Sequence, residues 1–236
     1  SYVWSVYRLH RALMLGLGSS ISNNTASLGG FELTDIAGLE MWLKNSTGVA
    51  VEQWDDSSGN DNHVTQGDSD YQAAKDQGGL DFTGDEYAFT EAIAVTVFTA
   101  FFCIEPDDAL GAVLFGNSGT ADFLKINHNT THEFRIKKNN NALDQLFDHS
   151  TELATDTYVL MFRQNAGNTM TYGVNLDFDN SALGSSTATT ITLNEFSKTS
   201  SAGINGTVLE AAMYNSTLTD EEATLVINDI SARCGL

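Results

Sequence analysis

Hydrophobic positions along this chain of 236 residues fall into three regimes. Between Phe31 and about residue 215 they form short apolar or alternating runs: LEMWLK (39–44), VEQW (51–54), GLDFT (79–83), YAFT (87–90), AVTVFTAFFCI (94–104), GAVLFGN (111–117), DFLKIN (122–127), HEFRIKK (132–138), TYVLMFRQ (157–164), NTMTYGVNL (168–176), TITLNEF (190–196) and INGTVLEAAMYN (204–215). Gly, Asn, Asp or Ser interrupts most of them at short intervals, the punctuation of strands joined by tight turns. Each run therefore predicts a strand. In TVFTAFFCI both faces are apolar, which predicts a central strand covered on both sides. Pro106, the single proline, ends that run, where it removes no ladder bond.

Helical periodicity is confined to the two ends. Residues 2–15 place Ser5, Arg8 and Arg11 on one polar stripe and Val3, Val6, Tyr7, Leu13 and Met14 on a wider apolar side, with Trp4 and His10 out of pattern. A helix of that length is marginal alone in water and is expected to fold only against something else. Residues 16–30 follow as a linker, eleven of the 15 being Gly, Ser, Asn or Thr. At the other end Thr219 and Glu222 form a capping-box pair, and Ala223, Val226, Ile227 and Ile230 repeat at helical spacing. The expected architecture is all-β: a two-sheet antiparallel jelly-roll sandwich over residues 31–236, with an N-terminal helical arm over 1–30 and a short C-terminal helix packed on the sandwich.

Charge sharpens this division. The chain has 31 acidic and 11 basic residues, a net charge of −20. Residues 1–31 hold Arg8 and Arg11 and no acid, so they carry +2 and the remainder carries −22. Phosphate recognition needs a basic patch, and none is legible here, so neither nucleic acid nor an anionic membrane is an expected partner. No apolar run reaches the roughly 18 residues of a membrane-crossing helix. The start resembles a signal peptide only superficially, because its arginines interrupt the apolar run and leave just Ala12–Leu15 and Leu17 beyond them. A leading Ser also fits removal of an initiator Met, and synthesis without export is the expectation. The two cysteines, Cys103 and Cys234, are too few for a disulfide framework or a structural zinc site, and a bridge between them is left open.

Two segments resemble the concanavalin A-like, laminin-G-type sandwich family. The first combines Met41-Trp42-Leu43, a W-x-D-x-S-G-N-x-x-H turn from Trp54 to His63, and the strand pair from Leu80 to Tyr87. The second is INGTVLEAAMYNSTLTDEEATLV, similar to that family's closing strand-to-helix unit. The resemblance brackets residues 39–233 and implies the fold. It implies little about function, because such folds serve lectin modules, adhesion domains and virion proteins alike.

Candidate chemistry is sparse. The resemblance brings Ca²⁺ forward, an ion that takes about six to eight oxygen ligands. Asp55, Asp56 and Asp61 are the candidate set, with Asp68, or Asp177 and Asp179, beyond it, although the same Asx and Gly residues are ordinary turn formers. Glycoside hydrolysis needs two carboxylates about 5–10 Å apart, and the chain has no run that gathers them; Glu86 and Glu91, five apart, face opposite sides. His10, His63, His128, His132 and His149 follow no metal spacing, and no nucleophile signature is present. For sugar, an aromatic platform would come from Tyr71, Tyr87 or Tyr172, or from Trp54, against the alternative of core packing.

The functional expectation is therefore non-enzymatic. The apolar cationic arm (Val3, Trp4, Tyr7, Arg8, Arg11, Met14) on its tether reads as an assembly device. By resemblance to arm-plus-sandwich proteins, the chain is expected to be a virion structural protein of a phage, a capsid decoration or tail-associated protein. It would be made in the host cytoplasm and contact other virion proteins or copies of itself. The alternative is a lectin-like module for surface glycan, with or without Ca²⁺, and a glycanase is the least favoured reading.

Overall fold

The computed structural model describes residues 30–107, 111–127, 133–139, 143–149, 153, 155–167, 169–184, 190–197 and 203–236. The arm residues Val3, Trp4, Tyr7, Arg8, Arg11 and Met14 lie outside these, as do His10, His128 and His132. The compact body runs from Leu33 to Leu236. Its strands are β1 (Leu39–Leu43), β2 (Gln53–Trp54), β3 (Val64–Thr65), β4 (Ala74–Asp76), β5 (Gly79–Thr83), β6 (Tyr87–Val95), β7 (Phe98–Pro106), β8 (Ala112–Gly116), β9 (Phe123–Ile126), β10 (Glu133–Lys138), β11 (Leu143–Asp148), β12 (Tyr158–Gln164), β13 (Thr169–Val174), β14 (Asp177–Gly184), β15 (Ile191–Phe196) and β16 (Asn205–Tyr214), followed by helix α1 (Asp220–Cys234).

Among the described residues the strands make two antiparallel sheets of eight. The first runs β14-β13-β12-β7-β16-β5-β4, with β1 also paired to β16; the second runs β11-β10-β9-β8-β15-β6-β3-β2. Alternation explains the layering. On β10, Phe134 and Ile136 turn into the core while Arg135 and Lys137 turn out. Facing aromatics interlock between the sheets, Phe102 lying 4.5 Å from Phe115 and Phe196 5.3 Å from Phe82, and Phe196 also meets Phe115 of its own sheet at 5.7 Å, all edge to face. Each such ring contributes about 1.5–3 kcal/mol by burial.

Strand β7 is covered on both faces, as its uniformly apolar run implies. Phe98, Ala100, Phe102 and Ile104 join the inter-sheet core, and the intervening Phe101 and Cys103 are equally buried on the other side. That other side is roofed by α1, which packs on β7, β12 and β16. Ala223, Val226, Ile227 and Ile230 are its buried face. The predicted capping box is formed: Glu222 N–H donates to Thr219 Oγ1 at 3.2 Å, and Thr219 N–H to Glu222 Oε2 at 2.8 Å. Each end of α1 is also pinned by an ion pair, Arg163 Nη1 to Asp220 at 2.7 Å and Arg233 Nη2 to Glu210 at 2.6 Å. Gly235, at φ +81°, then turns the chain out of the helix.

Two expectations from the pattern need correction. The run 94–104 is not one strand: β6 ends at Val95 and β7 begins at Phe98, so the run contains the end of one strand, a turn and the start of the next. Strands β3, β4, β11 and β14 were not legible. Three of them are sheet edges, and β4 is exposed at every residue, so no periodic apolar face marks it.

Candidate functional site

The Trp54–His63 turn is stitched to β1 by the residues that define its motif. Asp56 Oδ1 accepts the N–H groups of Trp42 (2.7 Å) and Ser58 (2.9 Å); Oδ2 accepts Ser58 Oγ–H (2.7 Å) and Asn62 N–H (3.0 Å). Asp56 N–H donates to His63 Nδ1 at 2.9 Å, which makes that nitrogen an acceptor. Asn60 and Asn62 donate their side-chain amides to carbonyls of Leu39 and Glu40. Trp54 is 0% exposed and its indole N–H reaches Lys44 O.

This arrangement withdraws Asp56 from the candidate Ca²⁺ set. The Asp56 carboxylate is ringed by four donors whose positive ends point at it, so no lone pair is left for a cation. The Asp55 and Asp61 side chains are 53% and 91% exposed and flank His63 at 3.9 and 3.8 Å. Asp68 caps a short turn by accepting Asp70 N–H at 3.1 Å. Asp177 lies beside His149, and the Asp179 side chain lies outside the described atoms. Among the described residues no group of three or more His, Cys, Asp or Glu is placed to hold a metal.

The aromatic platform is likewise corrected. Tyr87 and Tyr172 are 1% and 3% exposed, so neither offers a ring face to a sugar. Tyr87 Oη donates to Val51 O and accepts Ala73 N–H, and burial pushes its hydroxyl up to about 12. Tyr172 Oη donates to Asp148 O at 2.5 Å. Only Tyr71 of the three is exposed, at 51%.

The structure brings forward residues that pattern reading passed over. On the outer face of the second sheet, β9 and β10 pair so that Lys125 stands directly across from Arg135, and Phe123 across from Lys137. Strand β11 adds Asp144 across from Lys137 and Leu146 across from Arg135. Arg135 grips Asp144 with a two-point fork, Nε–Oδ1 2.8 Å and Nη2–Oδ2 2.6 Å, and Lys137 Nζ lies 3.5 Å from the same carboxylate. The cationic groups of Arg135 and Lys137 sit 5.8 and 5.6 Å from the centre of the Phe123 ring. Glu133 and Asp148 face each other at the far end of the β10–β11 pair.

Lys125 is the member this network leaves over. It has no anionic partner among the described residues. Burial first, and then the positive charges of Arg135 and Lys137, push its ammonium below its ordinary value. Asp144 moves the other way, held down chiefly by its bond to Arg135. Lys125 thus meets charges of its own sign within a chain of net charge −20, and Leu146, 40% exposed, stands across from Arg135 on the side away from Lys125. Such a face can receive one anionic group and pack a non-polar surface against it. The sequence signal was the alternation F-x-K in β9 and R-x-K, Arg135 and Lys137, in β10.

Concavities lie elsewhere among the described residues. A depression of about 640 Å³ is lined by Ser46, Gly48, Val49, Gln53, Asp55 and Lys75. A groove of about 260 Å³ is lined by Thr65, Gln66, Glu86, Ala88 and Glu195. Glu86 and Glu195 both line this groove.

No protein-family model and no curated protein sequence matches the chain. Solved structures do. The Trypanosoma rangeli sialidase superposes over 84% of this chain with a TM-score of 0.58 at 16% identity. The binding domain of Paraclostridial Mosquitocidal Protein 1 superposes over 84% with a TM-score of 0.57 at 14% identity. The botulinum neurotoxin serotype D binding domain superposes over 81% with a TM-score of 0.55 at 15% identity. The likeness is one of fold. The chain spans 33% of the sialidase, and 53% and 51% of the two toxin domains. The sandwich implied by the two sequence motifs is therefore the architecture found, shared with an enzyme and with binding domains alike.

Proposed function

We propose that this sandwich is a non-catalytic binding module for anionic carbohydrate, taken on the outer face of the second sheet at Lys125, Arg135 and Lys137. The observation that carries the reading is Lys125, partly buried and surrounded by two further cations in an otherwise acidic chain. A carboxylated or sulfated sugar supplies the missing counter-charge, and its C–H face packs on Leu146. The comparisons support the reading in kind: two of the similar structures are named binding domains, and the sialidase has been solved in complex with sialic acid. Calorimetry with sialyllactose, and with lactose as its neutral parent, tests it. Binding of sialyllactose alone, weakened by added salt, is expected. Equal binding of lactose removes the anionic part of the reading, and no binding of either it or a sulfated oligosaccharide sinks the whole.

A second reading follows from the charge split, +2 over residues 1–31 against −22 over the rest. It makes the chain a virion structural protein whose first 30 residues anchor it to other virion proteins or to copies of itself. Native mass of the full chain beside one lacking residues 1–30 tests this. Assembly of the full chain alone is the expected result, and two monomers count against self-assembly through the arm.

A further inference from the structure

Both cysteines of the chain lie at the C-terminal end of α1, Cys234 in its last turn and Cys103 on the strand below. Cys103 is 0% exposed on β7, on the face turned from the inter-sheet core. Its cross-strand partner on β16 is Glu210, also 0% exposed. Glu210 accepts Trp42 Nε1–H at 2.7 Å and a fork from Arg233, Nε–Oε2 2.9 Å and Nη2–Oε1 2.6 Å. Arg233 is further tied to Asp229 one turn earlier, and its guanidinium lies 5.1 Å from the Trp42 ring centre. Cys234 is the next residue and the last of the helix, only partly buried. The ion pair thus pins the helix end over the strand position that carries Cys103. Cys234 is thereby carried to the strand position of Cys103, whose thiol is pushed up first by its interaction with Cys234 and then by burial.

We propose that Cys103 and Cys234 are an oxidisable pair whose disulfide locks the last turn of α1 onto the central strand of the first sheet. The oxidant is a small-molecule disulfide such as oxidised glutathione. The more exposed Cys234 thiolate attacks it; the reagent's S–S bond breaks, one glutathione thiolate leaves, and the other half stays on Cys234 as a mixed disulfide. Cys103, having given its proton to solvent, then attacks Cys234 Sγ, which forms the internal bond and expels the second glutathione thiolate. Two protons and two electrons leave the protein, and one reagent disulfide becomes two thiols. Cys103 is buried beside Glu210, so the second step is the slow one and quickens as pH rises. The bridge closes a loop that contains every strand from β8 to β16, the kind of long closure that most restricts the unfolded chain.

The test uses the full chain incubated with oxidised glutathione, with Cys234→Ser as control. The expected product has lost two hydrogens by intact mass, offers no thiol to a titrant in denaturant, and yields a linked peptide pair on non-reducing digestion. Its melting temperature is expected to rise on the order of 10 °C over the reduced form. Cys234→Ser should fold and show no such rise, since its changed side chain lies at the helix end. A product that stops at glutathione on Cys234 with Cys103 still titratable overturns the proposal, as does a bond formed only between two copies of the chain.

Discussion

Two charged regions of this molecule teach opposite lessons. In the Trp54–His63 turn, Asp56 is almost enclosed and every oxygen lone pair meets a donor. On the outer face of β9 and β10, Lys125 is crowded by charges of its own sign. The turn had the recognisable motif and the acidic residues that invite a metal, yet folding consumes the central one, Asp56. The strand pair had no motif, yet it holds a charge that the fold leaves unanswered. A charged group is a better site candidate when the structure fails to neutralise it than when the sequence makes it conspicuous.

The sharpest way to break this comparison is Asp56→Ala. It strands four donors near β1, and about 3 kcal/mol of stability should be lost in denaturant titration, with binding of sialyllactose unchanged at a temperature where the variant is folded. A loss under 1 kcal/mol would show that water replaces the carboxylate and that the turn is not consumed by folding.

Next in size is a contrast within β10 itself. Lys137 points outward to Asp144, whereas its neighbour Lys138 is 0% exposed and bonds Gln164 Oε1, and burial pushes its ammonium down to about 8. The unfolded chain then binds more protons than the folded one between about pH 8 and 10.5, so stability rises with pH across that window. Lys138→Met should abolish this rise, on the order of 2–3 kcal/mol, in melts taken at pH 7.5 and 10.5. Parallel pH profiles for the two proteins would contradict the buried cation.

The smallest effect is on binding alone. Lys125→Ala should leave the melting temperature within a few degrees and weaken sialyllactose about tenfold, near 1.4 kcal/mol. A bound anion favours the charged lysine, so wild-type affinity should fall as pH rises through the lowered Lys125 value, and the variant should lose that dependence. Undiminished binding by Lys125→Ala would move the site, with the depression beside Lys75 the next place to look.

Much of the architecture was written in local patterns. Apolar or alternating patterns located twelve runs, the doubly apolar TVFTAFFCI announced the central strand, and T-x-x-E with Ala223, Val226, Ile227 and Ile230 placed α1 and its buried face. Edge strands such as β4 and β11 escaped because their residues need not be apolar on any regular face. The candidate site was hardly legible: Tyr87 and Tyr172 looked as available as Tyr71 until the sheets closed over them.

The sequence by itself determined most of the strands, the apolar face of those that have one and how the last helix begins, because these follow from neighbours two to four residues apart. Only the tertiary structure decided which charges meet. Lys125 and Arg135, Asp56 and Trp42, Glu210 and Arg233, and Cys103 and Cys234 are each brought together by strand register or by the seating of α1. Register is set by the packing of whole faces against one another, and no local spacing encodes it.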